Sequence, residues 1–190
     1  MEITGLYGMY KRLFPLLVYN ITFSYNDKMH KTKRDLFRNV GKFANPNGTL
    51  RLLEIGCGSG ANFRFYPYGC TVICTDPNPH FEKYLRMSME ANKHLTYETF
   101  MVVSGEDMEK VEDGSVDVVV CTLVLCSVRN VQEVRRILKP VSVLPSRAVG
   151  NIFLVTSRTF IVVCLHRLVI NLLWGHGEPP KLSTVFIVYS

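Results

Sequence analysis

An α/β fold built on a parallel sheet is what this sequence predicts, on three observations. Short β-branched runs recur through the middle of the chain: LRLLEI at 50–55, TVICT at 71–75, YETFMVV at 97–103 and VDVVVC at 116–121. Helical segments stand between them, which makes successive runs into βαβ units with right-handed crossovers. Acidic residues gather at the carboxyl ends of the first three runs, where open α/β sheets bind ligands.

Taken in order, the elements begin with a basic helix over 27–43, DKMHKTKRDLFRNVGKF. Asp27 is its candidate cap, and Met29, Leu36, Phe37, Val40 and Phe43 form a partial apolar stripe. Asn45-Pro-Asn-Gly48 is a turn. Helices are expected at 60–66, at 80–92 (HFEKYLRMSMEAN) and at 130–138 (NVQEVRRIL). Three regions follow: a basic N-terminal region over 1–48, a ligand-binding domain over 49–140, and a divergent apolar tail over 141–190.

Composition narrows the function classes. At 190 residues, 47% hydrophobic and 20% charged, the chain is long enough for one folded domain and too apolar for disorder. The net charge of +6 is uneven: +5 over residues 1–48, −2 over 49–140 and +3 over 141–190. Basic flanks around a mildly acidic middle suit a membrane surface, and no aromatic stacking platform accompanies them, so nucleic acid is not an expected partner. The six cysteines show no CxxC and no zinc spacing, which points to a reducing compartment and no metal. The apolar run at 159–174 is shorter than the ~20 residues of a spanning helix and carries His166-Arg167 at its centre. A buried or interfacial segment is expected there, and a monomer overall.

The chemistry is concentrated in LLEIGCGSGAN, residues 52–62. A glycine-rich turn between strand and helix lets backbone approach a ligand closely and aims N–H groups at it. A nucleotide-triphosphate loop needs Lys-Ser/Thr after its last glycine, and here Ala61-Asn62 stand instead. The dinucleotide pattern is met loosely by Gly56, Gly58 and Ala61, with Asp76 about 20 residues on. The third pattern, E/D-x-G-x-G-x-G for S-adenosylmethionine, is met at Glu54, Gly56, Gly58 and Gly60. A carboxylate at the strand mouth would repel a pyrophosphate but favours a sulfonium and an ammonium. Asp76 can accept from ribose hydroxyls, and one of Glu106 and Asp107 from the adenine amino group. Taken singly, Asp76 could be a helix cap and the acidic pair a solvated turn; it is their joint order that favours S-adenosylmethionine.

LLEIGCGSGANFRFYPYGCTVICTDPNPHFEKYL and GEDMEKVEDGSVDVVVCTLVLCSV closely resemble the methyltransferase-like thiol S-methyltransferases of the endoplasmic reticulum and lipid droplets. The similarity covers roughly residues 13–140. It implies a Rossmann-like class I methyltransferase sheet and methyl transfer from S-adenosylmethionine to small alkyl thiols. The implied cofactor contacts are Glu54, Gly56, Cys57, Gly58, Ser59, Gly60, Asp76, Pro77, Glu106, Asp107, Cys121 and Thr122, with Leu123 lining the acceptor pocket. No catalytic acid or base is assigned. A thiolate is nucleophilic by itself, and placing it about 3 Å from the methyl in line supplies most of the acceleration.

The chain departs from the family pattern at both ends. It begins MEITGLYGMYKRLF where the family has a long apolar anchoring helix. After ILKP the family's Gly-Gly and fifth strand give way to VSVLPSRAVGNIFLVTS. The resemblance therefore implies the cytosolic face of the endoplasmic reticulum membrane or a lipid droplet, with the cytoplasm as the alternative. A truncated, catalytically impaired form is the alternative reading of function. GNIFLVTS, 150–157, is expected to take the sheet position beside the fourth strand.

Overall fold

The computed structural model describes residues 2–122, 132–139, 153–155, 160–162 and 185–188. A 36-residue helix α1, Glu2–Phe37, leads into a 3-10 turn at Val40–Phe43. Then come β1 (Arg51–Ile55), β2 (Thr71–Thr75), α2 (Glu82–Ala91), β3 (Thr96–Met101), β4 (Val118–Thr122) and α3 (Gln132–Ile137). Three further strands are β5 (Phe153–Val155), β6 (Phe160–Val162) and β7 (Val185–Val188).

The sheet runs β3-β2-β1-β4-β7. Its first four strands are parallel, as the βαβ pattern predicts, and β7 joins antiparallel to β4. Strands β1, β2 and β4 are buried on both faces, which is why they read as continuous apolar runs. One face packs Leu52, Val72 and Val118 against Phe37, Phe63 and Leu85; the other packs Leu53, Ile73 and Val119 against Met108 and Ile137. At the amino ends of β1 and β4, the Asp117 carboxylate accepts from the Arg51 N–H, the Asn45 amide and the Lys139 ammonium.

Three expectations are corrected. The first helix starts near residue 2, so Asp27 lies inside it and caps nothing. Its buried face, Pro15, Tyr25, Asn26, Met29, Lys33 and Phe37, keeps a helical period across the whole length. The segment 60–66 holds only a 3-10 turn at Phe63–Phe65, because the Asn62 side chain is drawn to β1 and β4. The third correction concerns the tail. β5 pairs with β6, and the place beside β4 belongs to β7, with Val185 opposite Thr122. Pairing with β7 removes the exposed apolar edge that β4 would otherwise present. Of the apolar run 159–174, only Phe160–Val162 is described, and it is strand.

Candidate functional site

Strands β2 and β3 lie to one side of β1 and β4 to the other, so the crevice between β1 and β4 is a topological switch point. The glycine loop opens there. Gly56, Gly58 and Gly60 have φ of 63°, 52° and 78°, the left-handed region that favours glycine, and this alternation curls the chain tightly off β1. The Asp76 carboxylate, at the end of β2, closes on the loop: Oδ2 accepts from Gly58 N at 3.2 Å and Oδ1 from Asn78 N at 2.8 Å. Burial pushes its pKa up, and those two backbone N–H groups pull it back down.

Glu54 is almost wholly buried. Oε1 accepts from Asn62 Nδ2 at 2.7 Å and Oε2 from Tyr66 OH at 2.6 Å. Both oxygens therefore hold the loop from behind. Desolvation pushes Glu54 up to about 7, against the lowering effect of those two hydrogen bonds and of Lys33. Asn62 Nδ2 also reaches Thr122 Oγ1 at 2.7 Å, which ties β1 to the end of β4 across the crevice. Its amide oxygen is buried and has no partner.

Helix α1 crosses the loop. Thr22 Oγ1 donates to Val18 O, so Ser59 Oγ donates in turn to Thr22 at 3.0 Å. Asn26 Nδ2 donates to Ala61 O at 2.8 Å. Lys33 is fully buried; its ammonium donates to Asn26 Oδ1 at 2.8 Å and Ala61 O at 3.2 Å, and lies 4.8 Å from the Tyr25 ring centroid. Desolvation lowers its pKa to about 8, while the Glu54 charge raises it. Sequence reasoning missed Thr22, Asn26, Lys33 and Asn62. Their signal was present: polar residues 22, 26 and 33 share the helical period of the apolar stripe.

The remaining predicted residues fall in different places. Cys57 and Cys121 are buried, and burial pushes the Cys57 thiol well up, so it is no nucleophile. Ser59 is buried, Thr122 half-buried and Pro77 exposed. Glu106 and Asp107 are exposed in a turn after β3, where Ser104 O accepts from Asp107 N at 3.2 Å. Their loop is anchored by Arg136, which donates to Met108 O and Val111 O at 2.8 Å. Leu123 lies outside the described residues. A surface hollow of about 730 Å³ lies between α1 and α2, lined by Arg12, His80, Lys83 and Arg86 among others, and no glycine-loop residue borders it. Among the described residues no His, Cys, Asp and Glu cluster could hold a metal, and no helix is long and apolar enough to cross a membrane.

Comparison with known proteins finds a methyltransferase domain in the sequence. The methyltransferase domain family matches residues 53–144. Human thiol S-methyltransferase TMT1A is 56% identical over 134 residues, covering 68% of this chain and 55% of the relative. Human thiol S-methyltransferase TMT1B is 55% identical over 138 residues, covering 70% and 57%. The chain thus spans about half the length of these relatives. A solved SAM-dependent methyltransferase from Aquifex aeolicus aligns at 15% identity and a TM-score of 0.41, over 48% of this chain and 52% of that one. The chain therefore carries a class I methyltransferase domain on a Rossmann-like sheet, and over the matched residues its sequence is similar to that of thiol S-methyltransferases.

Proposed function

We propose that this chain binds S-adenosylmethionine at the β1–β4 crevice and methylates small alkyl thiols. The observation that carries the reading is the Asp76 carboxylate seated on Gly58 of the positive-φ glycine loop. Each Asp76 oxygen keeps a lone pair for a ribose hydroxyl after accepting its backbone N–H. Gly56 and Gly58, at φ of 63° and 52°, let backbone approach the ligand. The buried, unpartnered Asn62 oxygen is an acceptor suited to an ammonium. Glu106 and Asp107 lie in the turn that would face the adenine, one of them as its acceptor, and Cys57, Ser59, Pro77, Cys121 and Thr122 complete the wall.

When bound, the cofactor supplies an electrophilic methyl on a sulfonium. The protein's part is to hold and orient. Glu54 and Asn62 brace the loop against β4, and α1 covers it. The thiols of Cys57 and Cys121 stay buried, which leaves the nucleophile to an incoming thiol.

Titration calorimetry tests the reading. Wild type is expected to bind S-adenosylmethionine in the micromolar range, with NAD failing to compete. Asp76→Ala removes charged hydrogen bonds of roughly 1.5–3 kcal/mol, so affinity is expected to fall about 10- to 100-fold. Absence of wild-type binding would end the proposal for this chain. Binding without thiol turnover would favour the impaired form. We propose further that the enzyme works at a lipid surface, because Tyr7, Leu13, Leu17 and Phe23 of α1 are more than half exposed at 58%, 56%, 56% and 57%. Vesicle flotation that leaves the protein unbound counts against that part.

A further inference from the structure

Pro15 stands inside α1 and has no N–H, so the Lys11 carbonyl four residues earlier loses its helical donor. Asn78 supplies the replacement: its Nδ2 donates to Lys11 O at 2.9 Å. Of the other polar groups of Asn78, the backbone N–H faces the glycine loop's acid and the side-chain oxygen faces the 3-10 turn. Its backbone N–H donates to Asp76 Oδ1 at 2.8 Å, and its Oδ1 accepts from His80 N at 3.1 Å. One nearly buried residue thus grips both α1 and Asp76. A second contact runs in parallel. Phe14 of α1 meets the edge of Phe81 at 6.0 Å between centroids, and Phe81 backs Gly58.

We propose that Asn78 is a positioning residue that fastens the front of α1 to the carboxylate of Asp76, with the carbonyl freed by Pro15 as its anchor. The inference rests on the reading of Asp76 as the ribose acceptor. Since one residue holds both parts, order in α1 and cofactor affinity are linked, and by reciprocity each strengthens the other. A bland alternative is that Asn78 merely caps the 3-10 turn Pro79–Phe81. Asn78→Asp separates the two. Aspartate caps as well as asparagine and keeps the backbone N–H, but it has no donor for Lys11 O.

The test is hydrogen exchange on the apo protein, with calorimetry for S-adenosylmethionine, on wild type, N78D, P15A and the double variant. In N78D, exchange of the α1 amides over 8–20 is expected to rise about fivefold, the scale of one lost hydrogen bond, with β1 and β2 unchanged. The Kd for S-adenosylmethionine should rise by about the same factor, and in turnover the change should fall on the cofactor KM with kcat held within about twofold. In the P15A background the backbone N–H restored at position 15 takes the Lys11 carbonyl back into the helix. There N78D should keep only the effect of its added charge, which both backgrounds share, making the cycle non-additive. Unchanged α1 exchange in N78D, or equal effects in both backgrounds, overturns the proposal. A wild type that binds no S-adenosylmethionine overturns the coupling together with the functional reading. The exchange measurement then decides the anchor by itself.

Discussion

Gly60→Ala is expected to lower the melting temperature by roughly 4–20 °C and to abolish cofactor binding. Two effects add. The residue has φ of +78°, where an L side chain costs roughly 1–2 kcal/mol. Its Cβ would also stand 2.5 Å and 2.7 Å from two carbons of the Phe63 ring. That ring cannot yield easily: it is fully buried, beside Tyr66 at 6.0 Å between centroids. Forcing an atom into such packing costs about 1–3 kcal/mol. The sum, about 2–5 kcal/mol, converts at about 2–4 °C per kcal/mol for a chain of this size. Gly48→Ala is the control, because its φ is +80° but its Cβ would meet nothing within 4 Å. Melting followed by circular dichroism compares them. If the two variants melt within about 2 °C of each other, the ring contact is not what Gly60 protects.

The contrast between those glycines also shows what a sequence makes legible. Alternate glycines after an acid encode a backbone shape, so the loop and the Asp76 partner could be read directly, as could the four parallel strands. Lys33 could not. It sits in KMHKTKR, whose other polar members are exposed or half-buried, and nothing local marks one lysine as buried. Nothing local shows that a helix can run through Pro15, because the donor that rescues the orphaned Lys11 carbonyl is Asn78, distant in sequence. The tail failed for a related reason. GNIFLVTS and TVFIVYS are equally strand-like, and only long-range register decides which pairs with β4.

The second large effect concerns the buried pair. Glu54 titrates at about 7 in the fold and near 4.5 when unfolded. A raised group contributes stability that is full below its unfolded pKa and is lost as pH rises through its folded pKa. Lys33 has the opposite displacement, about 8 in the fold against 10.5. Its depressed pKa contributes stability that is present above 10.5 and lost as pH falls through 8. Between 7 and 8 both are charged, and each holds the other's charge in place. Glu54→Gln removes the first titration and retains the shape: the amide oxygen can accept from Asn62, and the amide nitrogen can donate to Tyr66. The wild type is therefore expected to gain on the order of a few kcal/mol over E54Q as pH falls from 7 to 4.5. Urea unfolding at several pH values measures the difference, and parallel profiles would refute it. The same substitution tests what Glu54 contributes to binding. Its oxygens face Asn62 and Tyr66, so its influence on a cationic cofactor is through charge alone. Affinity of the wild type for S-adenosylmethionine should then fall as pH drops through about 7, and affinity of E54Q should stay flat. A wild-type affinity indifferent to that titration would leave Glu54 as a brace for the loop and nothing more.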